Sequence, residues 1–459
     1  MPEGLLLHPL VALRAELGLT GEEYLDLLDD VHYALGYGRM AKSRQKISRW
    51  ENGVHAPDDN ARYAMARLHG IPPEAVVELG WPTFLLLAFP DDRAILDSPW
   101  TLAGTVTAVA AAARGGSMMD RRGFLIASGA ALAGLAVSWS EALAEPAAAS
   151  PALPAGQVLA NTPLSPGLLN TLEQRLDDLR RLDDVLGGAR LRRTALAEYE
   201  LLKDLAENTG QHGPLEHRLL SLLSEAARMC GWLHFDVGHQ AVAQRYYVTS
   251  MRASASANDP QVGANTLAFM AIQVYSEGNP QDAVGLVRTA QDATMRRTTP
   301  RVKAMLHARA ARALSKTGAA TACFNALDSA RTEYARGPHD DDPSWSYWLN
   351  EGEIEMLAGS SALDLKDPRR ALTHFERARQ AQYAVDGYVR DNVLYLTRTA
   401  LAHLQLGDLD AACATATDAF RQNVALNSSR PSDALDGLRE ELGVHRDVRA
   451  VREFLLLSA

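Results

Sequence analysis

The chain has 459 residues, 47% of them hydrophobic and 22% charged, with a formal net charge of −10. That length exceeds one ordinary core and predicts two or three globular domains, and the charge argues against a uniformly basic nucleic-acid coat while leaving room for a local basic stripe. Cys230, Cys323 and Cys413 are odd in number and far apart, with no CxxC metal pattern, so they are expected to be reduced core thiols in a cytosolic protein.

Residues 1–20 lack the basic head and sustained apolar run of an export signal. From His8 to Leu79 the chain divides into short helical units. Leu10, Leu13 and Leu17 recur at helical spacing up to Gly18. Thr20, with Glu23 three residues on, makes a capping box for a second helix carrying Tyr24, Leu27, Leu28, Val31 and Leu35, which stops at Gly36-Tyr37-Gly38. Ser43 is placed to cap a third helix with Ile47 and Trp50 on its apolar side and Gly53 at its end. After Pro57 a fourth helix holds Ala61, Ala64, Met65 and Leu68. Arg39, Lys42, Arg44, Lys46 and Arg49 follow one another with no acid between them, in a region otherwise acidic at Asp26, Asp29, Asp30, Asp58 and Asp59.

The sequence KISRWENG, followed by Pro57 and LHGIPPEAV, resembles the helix-turn-helix domain of the Cro/C1-type (XRE) repressors over about residues 8–80, with a longer second helix and turn than the family's usual version. The resemblance implies double-stranded DNA as the partner. Arg44, Gln45 and Arg49 match the family's base-reading positions, where Arg grips guanine and Gln grips adenine with two hydrogen bonds each. Lys42, Ser43, Lys46 and Asn52 are assigned to phosphates, and Ile47 and Trp50 to the core. One such module neutralises few phosphates, so a homodimer on paired half-sites is expected.

From Met118 to Ala144 the sequence MMDRRGFLIASGAALAGLAVSWSEALA has the parts of a twin-arginine export signal. Its apolar run, Phe124 to Trp139, falls short of the ~20 residues that span a bilayer as a helix, so no membrane insertion is expected. Three readings stay open. The first is an export signal exposed by a start at Met118 or Met119, with Ala142-Leu143-Ala144 as the cleavage site. The second, which is favoured, is a buried apolar helix packed between the DNA-binding and repeat domains. The third is a membrane-touching segment. Pro146, Pro151, Pro154, Pro163 and Pro166 predict a semi-rigid linker over 145–167.

Leu172, Leu176, Leu179, Leu182 and Leu186, ended by Gly187-Gly188, predict an amphipathic helix that caps a run of helical repeats or forms a dimer seam. Beyond Ala197 five helical segments align on the pivots Gly238, Gly278, Gly318, Lys366 and Gly407. A small residue stands seven before each pivot (Gly231, Ala271, Ala311, Gly359, Ala400) and another five after it (Ala243, Ala283, Cys323, Ala371, Ala412). Small residues there let two antiparallel helices approach closely. The pattern resembles the tetratricopeptide repeat, with steps longer than that family's standard of about 34 residues; HEAT-like or unclassified hairpins are the alternative. Either way the hairpins stack into a solenoid with a concave surface. The positions expected to face an effector there are Arg228, Trp232, Asn265, Tyr275 and Arg312, joined by Trp345, Trp348 and Asn350 from the long step before the fourth repeat. PHDDDP, at 338–343, reads as an acidic surface loop and not as a cation site.

The predicted fold class is therefore all-α. A helix-turn-helix domain (1–82) is followed by a connecting segment (83–144), the linker (145–167) and a TPR-like α-solenoid (168–459). An XRE-type head, a DRRGFL element and such repeats together resemble a class of actinomycete regulators that keep this element internally. Head and repeats alone resemble the peptide-responsive regulators of Gram-positive bacteria. The expected function is a cytoplasmic, sequence-specific transcription regulator whose repeats bind a peptide, small-molecule or protein effector. The rivals are a helical scaffold that binds no DNA and an exported repeat domain. GxSxG, HExxH and Walker patterns are absent from the sequence, as is a Rossmann fingerprint in a strand-to-helix setting, so no enzyme, cofactor or metal is expected.

Overall fold

The computed structural model describes residues 8–117, 129–144, 164–208, 213–381, 389–424 and 428–458. Among the described residues every regular element is helical and there is no strand. The twin arginines Arg121 and Arg122, and most of the expected 145–167 linker, lie outside them.

The N-terminal head consists of α1 (Pro9–Glu16), α2 (Gly21–Ala34), α3 (Arg44–Glu51), α4 (Asp59–Leu68) and α5 (Glu74–Leu79), followed by a 3-10 turn at Thr83–Ala88. The capping box at α2 forms as its sequence demands: Thr20 Oγ1 accepts from the Glu23 N–H, and Glu23 accepts from the Thr20 N–H at 2.7 Å. Ser43 occupies the N-cap position of α3, although its hydroxyl makes no capping hydrogen bond. Gly21 lets α3 come close to α2, since a Cβ there would lie 2.8 Å from Ile47 Cγ2. Leu10, Leu13, Tyr24, Leu28, Ile47, Trp50, Ala64 and Met65 share one core, which extends through Phe84 and Leu85 to Phe89. Leu17 and Leu35, expected on apolar faces, are 45% and 38% exposed. Their helices end before them, and Gly18 and Gly36 turn the chain with positive φ.

Behind the head, α9 (Pro166–Leu186) and α10 (Gly188–Asn208) precede five antiparallel helix pairs. These are α11 (Pro214–Asp236) with α12 (Gln240–Ser256), α13 (Pro260–Glu277) with α14 (Pro280–Thr294), and α15 (Pro300–Lys316) with α16 (Ala320–Tyr334). The last two are α17 (Glu351–Asp364) with α18 (Pro368–Gln380) and α19 (Val389–Gln405) with α20 (Leu409–Asn423). Then come α21 (Ser429–Gly443) and α22 (Arg449–Leu457). The punctuation is chemical. Asp259, Asn279, Thr299 and Asp367 each accept a hydrogen bond from the first turn of a helix whose next residue is proline, already fixed near helical φ.

All five pivots fall between paired helices. Gly238, Gly318 and Gly407 take φ near +80°, and Lys366 takes +62°. Gly278 does not; its φ is −131°. The small residues are needed where the paired helices cross. A Cβ on Gly231 would meet the Tyr247 ring at 2.7 Å, and one on Gly359 the Phe375 ring at 2.5 Å. Ala243, Ala271, Ala283, Ala311, Cys323, Ala371, Ala400 and Ala412 are fully buried. The first helices of successive pairs also touch one another, so their outward residues share one inner surface. Across that surface α9 packs on both α11 and α19, with Leu172, Leu176 and Leu179 turned inward and Leu182 exposed.

The segment expected to connect the two domains is instead built into the repeat body. It forms α6 (Pro90–Asp97), α7 (Leu102–Ser117) and α8 (Gly129–Ala144). Ile95, Ala108, Val109, Leu132, Ala136 and Trp139 join the core of the repeats. Arg252 of α12, fully buried, donates to the carbonyls of Ile95 (2.7 Å), Leu96 (2.8 Å) and Pro99 (3.2 Å), which are unpaired because α6 ends there. Tyr199 donates to the Val109 carbonyl at 2.7 Å. The apolar helix of the export-like stretch, α8, lies on α12 and α14 rather than between two domains. Trp139 donates to Ser254 Oγ at 2.9 Å and fills the space that Gly263 leaves, where a Cβ would come within 2.4 Å of the indole. Among the described residues no helix is long and apolar enough to cross a membrane.

Candidate functional site

Two places concentrate exposed or unsatisfied polar groups. The first is α3. Ile47 and Trp50 fix its inner side in the head, which leaves Gln45, Ser48, Arg49 and Asn52 on the outer side at one-turn spacing. Gln45 and Arg49 are exposed, and Arg49 has no ion-pair partner among the described residues. Arg44 opens the helix, and its side chain lies outside the described residues. The expected phosphate contacts divide. Ser43 is exposed, with its hydroxyl unused by the helix. Lys46 donates to the Ala41 carbonyl at 3.2 Å and lies over Trp50, 5.1 Å from the ring centroid. Asn52 donates to Ser48 O at 2.8 Å, so its amide serves the end of its own helix.

Lys42 is paired with Asp26 at 2.8 Å and Asp29 at 3.1 Å, and Arg39 with Asp29 and Asp30. The basic run is thus less focused than its sequence suggests, because α2 lays three aspartates beside it. The Met40 N–H at 2.6 Å, with Lys42 and Arg39, holds the Asp29 carboxyl down to about 2 against its burial. The Lys42–Asp26 pair is exposed and contributes at most about 1 kcal/mol, and the buried Asp29 keeps Arg39 and the Met40 N–H when Lys42 turns to a phosphate.

The second place is a cavity on the inner surface of the repeats, with about 950 Å3 of space free of protein atoms, mouth included. It takes side chains from α9, α11, α13, α15, α17, α19 and α21 and from the link before α17. Of the expected effector positions, Arg228, Trp232, Asn265, Tyr275, Arg312, Trp345 and Trp348 line it. Asn350 does not, because its Oδ1 caps α17 by accepting from the Glu353 N–H at 2.8 Å.

Much of the lining is locked. Arg228 grips Glu225 at 2.6 Å, and Arg312 grips Asp364 at 2.6 Å. Arg390 bridges to Asp183 at 3.0 Å, and Asp183 also accepts from the Trp232 indole at 2.8 Å. Burial disfavours the Arg390 charge, and the carboxylates of Asp183, Asp391 and Asp236 more than restore it. Asp184 receives the Tyr347 hydroxyl, yet its burial pushes its carboxyl up to about 7.

Arg309, Arg398 and Arg430 also line the cavity and were not among the residues anticipated. Helical spacing marks the first two, since Arg309 stands one turn before Arg312, and Arg390, Leu394 and Arg398 fall one turn apart on α19. Nothing in the sequence marks Arg430, which arrives from the start of α21. Burial pushes the Tyr275 phenol up, and the guanidiniums of Arg309, Arg312, Arg398 and Arg430 outweigh it, leaving the phenol below its ordinary range. Around Tyr275, then, positive charge predominates, while Asp183, Asp184 and Asp391 lie at the α9–α19 end of the cavity. No protein-family model and no curated protein matches this chain.

Proposed function

We propose that this protein is a sequence-specific DNA-binding transcription regulator, read out through α3, with the repeat body as receptor for an effector. The reading is supported above all by the outer side of α3, where Gln45 and Arg49 stand exposed, Arg49 without an ion-pair partner among the described residues, on a helix anchored from behind by Ile47 and Trp50. Helices of this kind read the major groove from their N-terminal end, with Arg and Gln suited to guanine and adenine edges. Ser43 and Lys46 flank that side as phosphate contacts, and Lys42 joins them once it is released from Asp26 and Asp29. A homodimer supplies the second half-site that one weakly charged head needs. The effector acts by binding two arrangements of the heads with different affinity.

The test is a gel shift of the full chain with sheared genomic DNA, followed by selection of the retained fragments. The Gln45→Ala, Arg49→Ala double variant is expected to lose about tenfold or more in affinity for a selected fragment, since each two-bond base contact is worth ~1–3 kcal/mol. Binding that is undiminished in that variant, or no retained fragment at low salt, removes the regulator reading and leaves a helical docking protein.

A further inference from the structure

We propose that the cavity of the repeat body is the receptor for a compact aromatic anion, a planar ring system bearing a carboxylate or phosphate, with the ring against the tryptophan walls and the charge on Arg309, Arg398 and Arg430. This deepens the effector role proposed above and rests on it for its regulatory meaning, but its test contains no DNA.

The charge argument comes first. Among the described residues none of these three arginines has a carboxylate partner, whereas their neighbours Arg228, Arg312 and Arg390 are all paired. Each lies over an aromatic ring instead: Arg309 over Trp348 (5.6 Å), Arg398 over Tyr395 (5.7 Å) and Arg430 over Trp232 (4.9 Å). A ring face offsets only part of a desolvated charge. Burial and the neighbouring Arg312 accordingly push the Arg398 guanidinium below its usual range. An anion removes that deficit; a neutral or cationic ligand does not.

Unsatisfied hydrogen bonding comes second. Asn265 is 1% exposed and faces the cavity, and its Oδ1 has no partner; neither has Nε of the buried Arg309. Buried polar atoms are ordinarily satisfied, so a group that donates to Asn265 and accepts from Arg309 belongs in this space.

Shape comes third. Three indoles, from Trp232, Trp345 and Trp348, offer ring faces or edges to a planar group. An extended peptide needs an open groove. Here α9 bridges α11 and α19, and the Asp183–Arg390 pair closes the span.

Calorimetric titration of the full chain with indole-3-carboxylate, with AMP and with the neutral isostere indole-3-carboxamide tests this. The expected result is saturable one-site binding of the carboxylate or of AMP, at least tenfold tighter than of the carboxamide. Which of the two anions binds tells a carboxylate ligand from a phosphate one. Arg309→Met with Arg430→Met is expected to weaken that binding at least tenfold. Asn265→Leu, which removes an unsatisfied buried oxygen, is expected to weaken it several-fold without lowering the thermal midpoint, and keeps the test valid if the double variant fails to fold. The proposal is overturned if neither anion binds saturably, if the carboxamide binds as well as the acid, or if folded variants bind undiminished. Anion binding with no gel shift would retain the receptor and refute the regulator; a gel shift with no anion binding would do the reverse.

Discussion

Replacing Trp139 by alanine asks whether the helix of the export-like stretch is an integral part of the repeat body. The indole is fully buried between α12 and α13, and its N–H is held by Ser254 Oγ at 2.9 Å. Truncating a buried aromatic side chain costs ~3–5 kcal/mol, and the void at this site has little to refill it, because the wall opposite is Gly263. Ser254 is not orphaned, since its hydroxyl still donates to the Met251 carbonyl, so the lost hydrogen bond adds only about 1 kcal/mol. The expected total is about 4–6 kcal/mol. Where opening of α8 limits exchange, that corresponds to roughly 10³- to 10⁴-fold faster hydrogen exchange of the α8 amides, read by mass spectrometry on the full chain. Val137→Ala on the same helix, at a position 48% exposed, is the control and is expected to change stability by less than about 0.5 kcal/mol. A Trp139→Ala protein within about 1 kcal/mol of the parent, with α8 protection unchanged, would refute the reasoning and return the helix to the role of an exposed signal.

Three further outcomes are expected. Arg390→Met leaves Asp183 a buried carboxylate without its cation and is expected to cost about 3–5 kcal/mol in chemical denaturation, with proteolysis opening first near α9. Gly359→Ala forces a methyl carbon to within 2.5 Å of Phe375 and is expected to cost ~1–3 kcal/mol, whereas Gly437→Ala, inside α21 with open space around it, is expected to stabilise by up to about 1 kcal/mol; equal effects on the denaturation midpoint would refute the packing argument. The head is expected to lose stability in acid. Burial holds the imidazoles of His8 and His69 down to about 4, so the unfolded chain binds more protons between pH 6.5 and 4. Their contribution is complete above pH 6.5 and falls away through that window, by at most about 3 kcal/mol for each histidine. A head whose unfolding midpoint in a pH series stays flat from pH 7 to 4 would contradict it.

The features legible in the sequence obey local rules. The capping box at Thr20 and Glu23 acts within one helical turn and the small residues around the pivots within one helix pair, and each stands where expected. So do seven of the eight residues placed on the inner surface, because a helix face is a matter of period. The features that stayed hidden depend on distant pairs. Asp26 and Asp29 reach Lys42 only because the long turn after α2 folds back along it. Arg430 enters the cavity from a helix whose approach no periodicity encodes. The apolar run near Trp139 resembles a signal by composition, while its seat is made by Ser254 and Gly263, more than a hundred residues later.

The two cores meet where α6 starts, and the contacts there bear on how a ligand in one body would be felt in the other. α12 is the partner of α11, which supplies Arg228 and Trp232 to the cavity. Its buried Arg252 holds three carbonyls at the end of α6 and lies over Trp100 at 4.5 Å, and its Arg245 pairs with Asp92 at 2.5 Å near the start of α6. Both ends of α6 are thus fastened to α12. The 3-10 turn that packs on α6 carries Phe84 and Leu85 into the head core. A displacement of the α11–α12 pair therefore cannot leave α6 behind without stripping a buried guanidinium of its acceptors, at a cost of several kcal/mol, and α6 cannot move without the head. Coupling between cavity and head thus has a route through helices in direct contact. Its remaining requirement is thermodynamic: the ligand must bind one position of α11 more tightly than another.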